Sequence, residues 1–274
     1  MGSKKTPSSP SSKKSDSKST KETKEECPLC KCKPEDYDKA LSSTSYAKYF
    51  RKYKADGTEY SAAALPALAL RGKLYVPLKS GGKVKVELKM KAEKGAGTVT
   101  DDDVKSAKKK LEAGIKKHWN GKFTVNVKDP APECKDRSFS VEYKVLWVDS
   151  GEDYTIKIHE TYPREGVTGT RMDVSKGTSD WVYAHEYGHC IGLPDEYSYV
   201  SGSTETVKYI KPDGTLDAAV SAPYNGKPKD EAGATIMAAY NNTKTKPRHA
   251  WNVAIEVQEL LTAKLGRDIK CTIK

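Results

Sequence analysis

His185-Glu186-Tyr187-Gly188-His189-Cys190-Ile191-Gly192-Leu193-Pro194-Asp195-Glu196-Tyr197 is the stretch on which the reading of this chain turns. His185 and His189 are four residues apart, so on a helix they lie one turn apart on one face, with both imidazoles reaching a common point. Two such imidazoles grip a single metal ion. Glu186, the next residue along, is placed to hold a water molecule rather than the metal and to pass that water's proton to a leaving amine. A catalytic ion needs a third protein ligand. Gly192 can take the backbone conformation that ends a helix sharply and Pro194 prevents its continuation, so the chain turns back and Asp195 can face the metal. Glu196 and Glu231 are the alternative carboxylates for that role. Imidazole nitrogen and carboxylate oxygen are ordinary ligands of zinc, so one zinc ion is the expected cofactor.

The string reads His-Glu-x-x-His-x-x-Gly-x-x-Asp, and downstream of it comes Thr235-Ile236-Met237-Ala238-Ala239-Tyr240. Together these resemble the metzincin superfamily of zinc peptidases, whose extended motif has this spacing with His, or in some small bacterial members Asp, at the last position. The resemblance implies that His185, His189 and Asp195 are the zinc ligands and Glu186 the general base. It also implies that Met237 sits in a tight turn beneath the metal, with Tyr240 nearby to help stabilise the oxyanion. The helix and strands expected between Thr100 and Glu160 fall in the order that superfamily uses before its motif helix, so the likeness spans roughly residues 100 to 265.

Working outward, Ser179 or Asp180 can cap the motif helix. Upstream, Thr100 with Asp103 makes a capping box, and Val104, Ala107, Leu111 and Ile115 recur at helical spacing up to Trp119, where Asn120-Gly121 ends the helix. Strands are expected at Phe123 to Val127, Phe139 to Trp147 and Tyr154 to Ile158, because apolar residues alternate there. Earlier, KLYVPLK and KVKVELKMK flank Ser80-Gly81-Gly82 and read as a β-hairpin with one buried face. Tyr46, Phe50 and Tyr53 have spacings that suit a short helix. Downstream, Ser198 to Gly233 is a long irregular stretch that needs a function or a small insertion to explain it. A broad apolar face from Trp251 to Leu261 marks a closing helix between Ala250 and Lys264.

These elements predict an α+β fold: a metzincin-like mixed sheet with an active-site helix and a C-terminal helix, preceded by a small region that contains the hairpin. Three segments are expected. Residues 1–33, rich in Ser and Lys with the cysteine cluster Cys27, Cys30 and Cys32, read as a disordered basic tail. Residues 34–98 form the small N-terminal region, with a boundary at Gly95 to Gly97, and residues 99–274 the zinc metallopeptidase domain.

The chain is 36% hydrophobic and 31% charged with a formal net charge of +11. Clustered cations would favour polyanions, but the lysines are scattered along strand and helix faces without interleaved aromatics, so no nucleic-acid partner is expected. The longest apolar run, Ala62 to Leu70, is too short to span a bilayer. The first residues carry no apolar leader, so the chain is expected to be exported without a cleavable signal peptide or otherwise to be cytoplasmic. With six cysteines, disulfides or free thiols are favoured over a second metal, since no second ligand pair follows CPLCKC. Cys190 points off the metal face as a small core residue, and His118, His159 and His249 are expected to be surface or capping residues.

The function these residues point to is zinc-dependent hydrolysis of peptide bonds, by a metalloendopeptidase whose partner is a protein or peptide substrate. The basic tail and the motif ending Pro-Asp-Glu-Tyr look similar to metallopeptidase toxins delivered by contact-dependent bacterial machines, notably type VI secretion effectors. That resemblance implies a cognate immunity protein, a secretion-machine component as partner, and delivery to the periplasm of a target cell. Two other classes use the same residues: an endopeptidase acting on peptidoglycan crosslinks, and a zinc-containing binding module without turnover. The base Glu186 argues against the second.

Overall fold

A computed structural model describes residues 1–2, 37–42, 46–61, 64, 70–77, 82–132, 134, 136–198, 204–220, 235–238 and 241–274. Its strands are β1 (Asp38–Ser42), β2 (Phe50–Tyr53), β3 (Arg71–Tyr75), β4 (Lys83–Lys94), β5 (Thr124–Lys128), β6 (Arg137–Trp147), β7 (Tyr154–His159), β8 (Gly166–Thr168), β9 (Arg171–Ser175), β10 (Thr206–Tyr209) and β11 (Lys270–Ile273). The α-helices are α1 (Asp101–His118), α2 (Asp180–Cys190) and α3 (Trp251–Leu265). Nine strands form one sheet with the path β11-β5-β6-β4-β7-β9-β8, to which β3 and then β1 add beside β4. The pairs β4·β6, β4·β7 and β7·β9 are parallel and the others antiparallel, so the sheet is mixed and the class is α+β.

In β4, Val84, Val86, Leu88 and Met90 are fully buried while Lys83, Lys85 and Lys89 are exposed, the two-residue period of a strand with one covered face. The predicted hairpin is present: β3 and β4 pair antiparallel, with Leu74 opposite Val86. The boundary expected at Gly95 to Gly97 falls elsewhere in meaning. That segment is the connection from β4 to α1, and β4 runs between β6 and β7 in the middle of the sheet. Residues 34–98 are therefore not a region apart, because the sheet that carries the motif helix is built around one of their strands.

The helix expected at Tyr46 to Tyr53 is replaced by a single 3-10 turn (Tyr46–Lys48) followed by β2. Tyr46 and Phe50 do stack, at 4.9 Å between ring centroids, so their four-residue spacing is used. The backbone, however, pairs with β10, a strand more than a hundred residues away, and such pairing overrides local propensity. The same pairing accounts for part of the long irregular stretch after Ser198: its residues Thr206–Tyr209 run antiparallel beside β2.

Helix α1 starts on the predicted capping box. Asp103 N–H donates to Thr100 Oγ1 at 3.1 Å, and Thr100 N–H donates to the Asp103 carboxylate at 2.8 Å. Three aspartates in its first turn and Lys116 and Lys117 in its last complement the helix dipole. Gly114 lets α2 approach closely, since a Cβ there would lie 2.4 Å from the Asp180 carbonyl oxygen. Trp119 at the end of α1 donates its indole N–H to Ala184 O at 2.8 Å, fixing α2 from the other side.

Glu256 of α3 ties the N-terminal residues to this unit. It is 2% exposed and accepts hydrogen bonds from Lys39, Lys48 and the Tyr49 hydroxyl. Burial alone would raise its pKa, but these donors outweigh burial and hold the carboxyl below the usual carboxylate range. A depressed carboxylate contributes stability that is present above the unfolded value near pH 4 and lost as pH falls through the folded value. Glu256→Gln should therefore unfold more easily than wild type at pH 7 and lose part of that deficit between about pH 5 and 3. Denaturant melts at a series of pH values would show it, and parallel stability curves would refute it.

The tail expected at residues 1–33, apart from its first two residues, and its cysteine cluster lie outside the described residues. Among those described, Cys190 and Cys271 are free buried thiols and Cys134 is in a disulfide. Among the described residues, no helix is long and apolar enough to cross a membrane.

Candidate metal centre

Ser179 caps α2 by accepting the Val182 N–H at 3.3 Å, and the helix runs eleven residues to Cys190. It stops as Gly192 and Pro194 suggest. Gly192 adopts φ +85°, its N–H bonds His189 O at 2.9 Å, and Leu193 N–H bonds Gly188 O at 3.0 Å. These are the two bonds of a Schellman end, in which a left-handed residue reverses the chain. The reversal brings Asp195 back over the histidine face.

The three polar side chains then converge. Asp195 Oδ1 lies 3.2 Å from His185 Nε2 and 3.4 Å from His189 Nε2, and all three residues are buried. The other ring nitrogens are committed: His185 Nδ1 faces Ile236 O and His189 Nδ1 faces Leu193 O, each at 2.8 Å. A carbonyl only accepts, so each Nδ1 carries hydrogen and each neutral Nε2 presents a lone pair. Two lone pairs and a carboxylate oxygen within 4.8 Å of one another repel unless a cation or a proton lies among them. Burial would lower both histidines, but Asp195 and Glu186 prevail and raise them, His185 to about 9. Asp195 is held far below the carboxylate range although burial opposes it, because both histidines stabilise its charge. The donor set therefore fits a divalent metal, and two imidazoles with one carboxylate suit zinc.

Glu186 is 5% exposed, and its Oε2 has no hydrogen-bond partner among the described residues. Burial raises its pKa, against the pull of both histidines. An unsatisfied buried carboxylate oxygen beside a metal cradle is placed for a water molecule and its proton. Trp181 stacks on His185, with centroids 5.5 Å apart and 17° between planes, and so limits rotation of that ring.

Met237 is fully buried in the turn that begins at Thr235. It packs against the motif helix at Gly188, where a Cβ would fall 2.5 Å from the methionine sulfur. The turn's next contribution is the Ile236 carbonyl that orients His185. Tyr240 and Glu231 lie outside the described residues. Glu196 points away from the histidines into a buried cluster with Arg248, His249 and Thr235, so of the two described carboxylates Asp195 is the one that reaches them.

The other histidines are buried or held rather than at the surface, with His249 keeping a capping role by accepting the Lys246 N–H. His118 is 2% exposed, burial lowering its pKa, because α1 packs to its last turn against α2. His159 is held between Asp173, at 2.8 Å, and the Ala96 N–H. His249 is fully buried and bonded to Glu196. Sequence reasoning also passed over Lys52 of β2, 1% exposed and 3.8 Å from Glu205. Burial lowers its pKa, while Asp195 and Glu205 pull it back up. Nothing distinguishes Lys52 in the sequence from the lysines around it. Tyr197, hydrogen-bonded to Arg164, stands close enough to Asp195 and Glu186 to feel their charges, with burial the larger cause of its raised pKa.

Residues 136–227 match the family model described as the immune inhibitor A peptidase M6 catalytic domain, about a third of the chain. The match takes in β6 to β10, α2 and Asp195, and stops short of Met237. No curated protein matches the chain. The family match supports a zinc metallopeptidase, and a peptidase implies a protein or peptide substrate.

Proposed function

We propose that this chain is a zinc-dependent endopeptidase of the metzincin type, with His185, His189 and Asp195 as ligands and Glu186 as general base. One observation carries this reading: three lone-pair atoms lie within 4.8 Å of one another beside a Glu186 Oε2 that has no hydrogen-bond partner among the described residues, with both histidine Nδ1 atoms already used by backbone carbonyls. Zinc, when bound there, supplies a Lewis acid that polarises the scissile carbonyl and acidifies water. Glu186 Oε2 accepts the proton of the attacking water and delivers it to the leaving amine nitrogen. Ile236 O and Leu193 O keep each Nε2 aimed at the ion. Tyr240, three residues past the buried Met237, is the phenol we assign to the oxyanion on the strength of the family resemblance.

Wild-type protein loaded with zinc, and the same protein stripped by a chelator, would be incubated with a bacterial protein extract and new peptide termini mapped by mass spectrometry. New termini are expected with zinc alone, restored on adding the ion back. Soluble muropeptides digested in parallel separate an endopeptidase of wall crosslinks from a protease. If zinc-loaded protein cut neither, the peptidase reading would fail.

For biological role we propose a secreted antibacterial effector delivered to the periplasm of a target cell, supported by the likeness of the Pro-Asp-Glu-Tyr motif to such toxins. Expression directed to the periplasm of a susceptible cell should then be toxic, and a cognate immunity protein should relieve it. Harmless expression of active enzyme would remove the role and leave the chemistry standing.

A further inference from the structure

Glu196 follows a metal ligand yet serves a different set of partners. Its carboxylate is 2% exposed and accepts four hydrogen bonds. Arg248 Nε donates to Oε1 at 2.7 Å and Arg248 Nη2 to Oε2 at 2.9 Å, a two-pronged pair. His249 Nδ1 accepts the Lys246 N–H, so its Nε2 carries hydrogen and donates to Oε1 at 3.0 Å. Thr235 Oγ1 donates to Oε2 at 2.7 Å. The Glu196 backbone N–H also donates to Met237 O at 2.9 Å.

These contacts reach three separate parts of the chain. Thr235 and Met237 flank Ile236, whose carbonyl holds Nδ1 of His185. Arg248 and His249 belong to the 3-10 turn (Pro247–Ala250) that leads into α3, and Asn252 at the start of α3 donates to Ile191 O at the end of the motif helix. Asp195 is the residue before Glu196. One carboxylate thus joins the backbone that presents the third ligand to the turn that orients the first, with the start of α3 as fixed ground.

We propose that Glu196 is a positioning residue for the metal centre, holding the Thr235 to Met237 turn and Asp195 in register so that His185 and Asp195 share one ion. It does not touch the ion or the substrate. Its effect passes through Ile236 O to His185 and through the backbone to Asp195. The proposal rests on the zinc reading above, and it assigns to Glu196 a task different from the ligand role for which the sequence made it an alternative.

The test uses full-length protein and zinc alone as probe. Glu196→Gln keeps shape and loses charge; Arg248→Lys keeps charge and loses the two-pronged geometry. Glu256→Gln serves as control, a buried carboxylate of similar exposure set among Lys39, Lys48 and Tyr49 rather than in the Glu196 cluster. Zinc affinity would be measured by chelator competition, the cobalt-substituted absorption spectrum would report ligand geometry, and thermal unfolding of metal-free protein would report stability. Glu196→Gln and Arg248→Lys should weaken zinc about 10- to 100-fold and alter the cobalt bands, as loss of groups that orient ligands does. Glu256→Gln should lower the melting midpoint and leave zinc affinity and the cobalt bands as in wild type. If both cluster variants bind zinc as wild type does, or weaken it no more than Glu256→Gln, the cluster is structural only and the proposal falls. If Glu196→Gln does not fold, Arg248→Lys decides. Wild-type protein that takes up no zinc would instead sink the reading on which the proposal stands.

Discussion

Glu186→Gln is expected to lower the rate of peptide cleavage by about 10²- to 10⁴-fold, the range for loss of a positioned general base, while zinc content stays at the wild-type level. The amide has nearly the shape of the carboxylate but cannot take a proton at Oε2. Because Glu186 is no part of the His185, His189 and Asp195 cluster, its neutralisation leaves all three donor atoms in place. The loss should appear in kcat more than in KM, since the proton moves only as the bond breaks. Rates on a peptide identified from the extract digest, with zinc measured on the same samples, give the answer. A variant that keeps wild-type kcat would show that the proton is carried by another group.

Asp195→Ala should act on binding instead. Removing it leaves two imidazoles, and zinc affinity is expected to fall by at least about 100-fold, beyond what loss of a merely orienting group does. Asp195 is also the anion that compensates two histidines which share its buried site. Without it their affinity for protons as well as for zinc decreases, so the metal-free variant should retain less charge in the pocket at neutral pH. Chelator competition measures the first effect and histidine proton resonances the second. Zinc bound as tightly as in wild type would transfer the third position to a residue such as Glu231, which the sequence also offers.

The local chemistry of the centre was open to reading in the sequence for a specific reason. Every step from Ser179 to Asp195 is decided by near neighbours: a cap, a helical repeat of four, a glycine that takes positive φ, a proline. The capping box of α1 and the β3–β4 hairpin were legible on the same terms. What escaped depends on partners remote in sequence. Nothing in KVKVELKMK says that two parallel strands from beyond α1 will bracket it, and Tyr46, Phe50 and Tyr53 satisfy a helical spacing that only the arrival of β10 overrules. Lys52, Arg248 and His249 were missed likewise, since a buried charge is recognised by what surrounds it. His249 does cap, accepting the Lys246 N–H, but its second partner, Glu196, stands fifty-three positions earlier.

The place of β4 bears on how the chain comes into being. The strand at the middle of the sheet is made before both of the strands that flank it in parallel, and α1 is made in the interval. During synthesis it carries a row of apolar side chains and, apart from β3, lacks the neighbours that will satisfy its backbone, the condition in which strands join to other chains. Lys83, Lys85, Glu87 and Lys89, alternating with Val84, Val86 and Leu88, keep a charge on every second position through that period. They guard the nascent strand against association until β6 and β7 exist to close over it. The charge on this one strand thus has a use before the chain has folded.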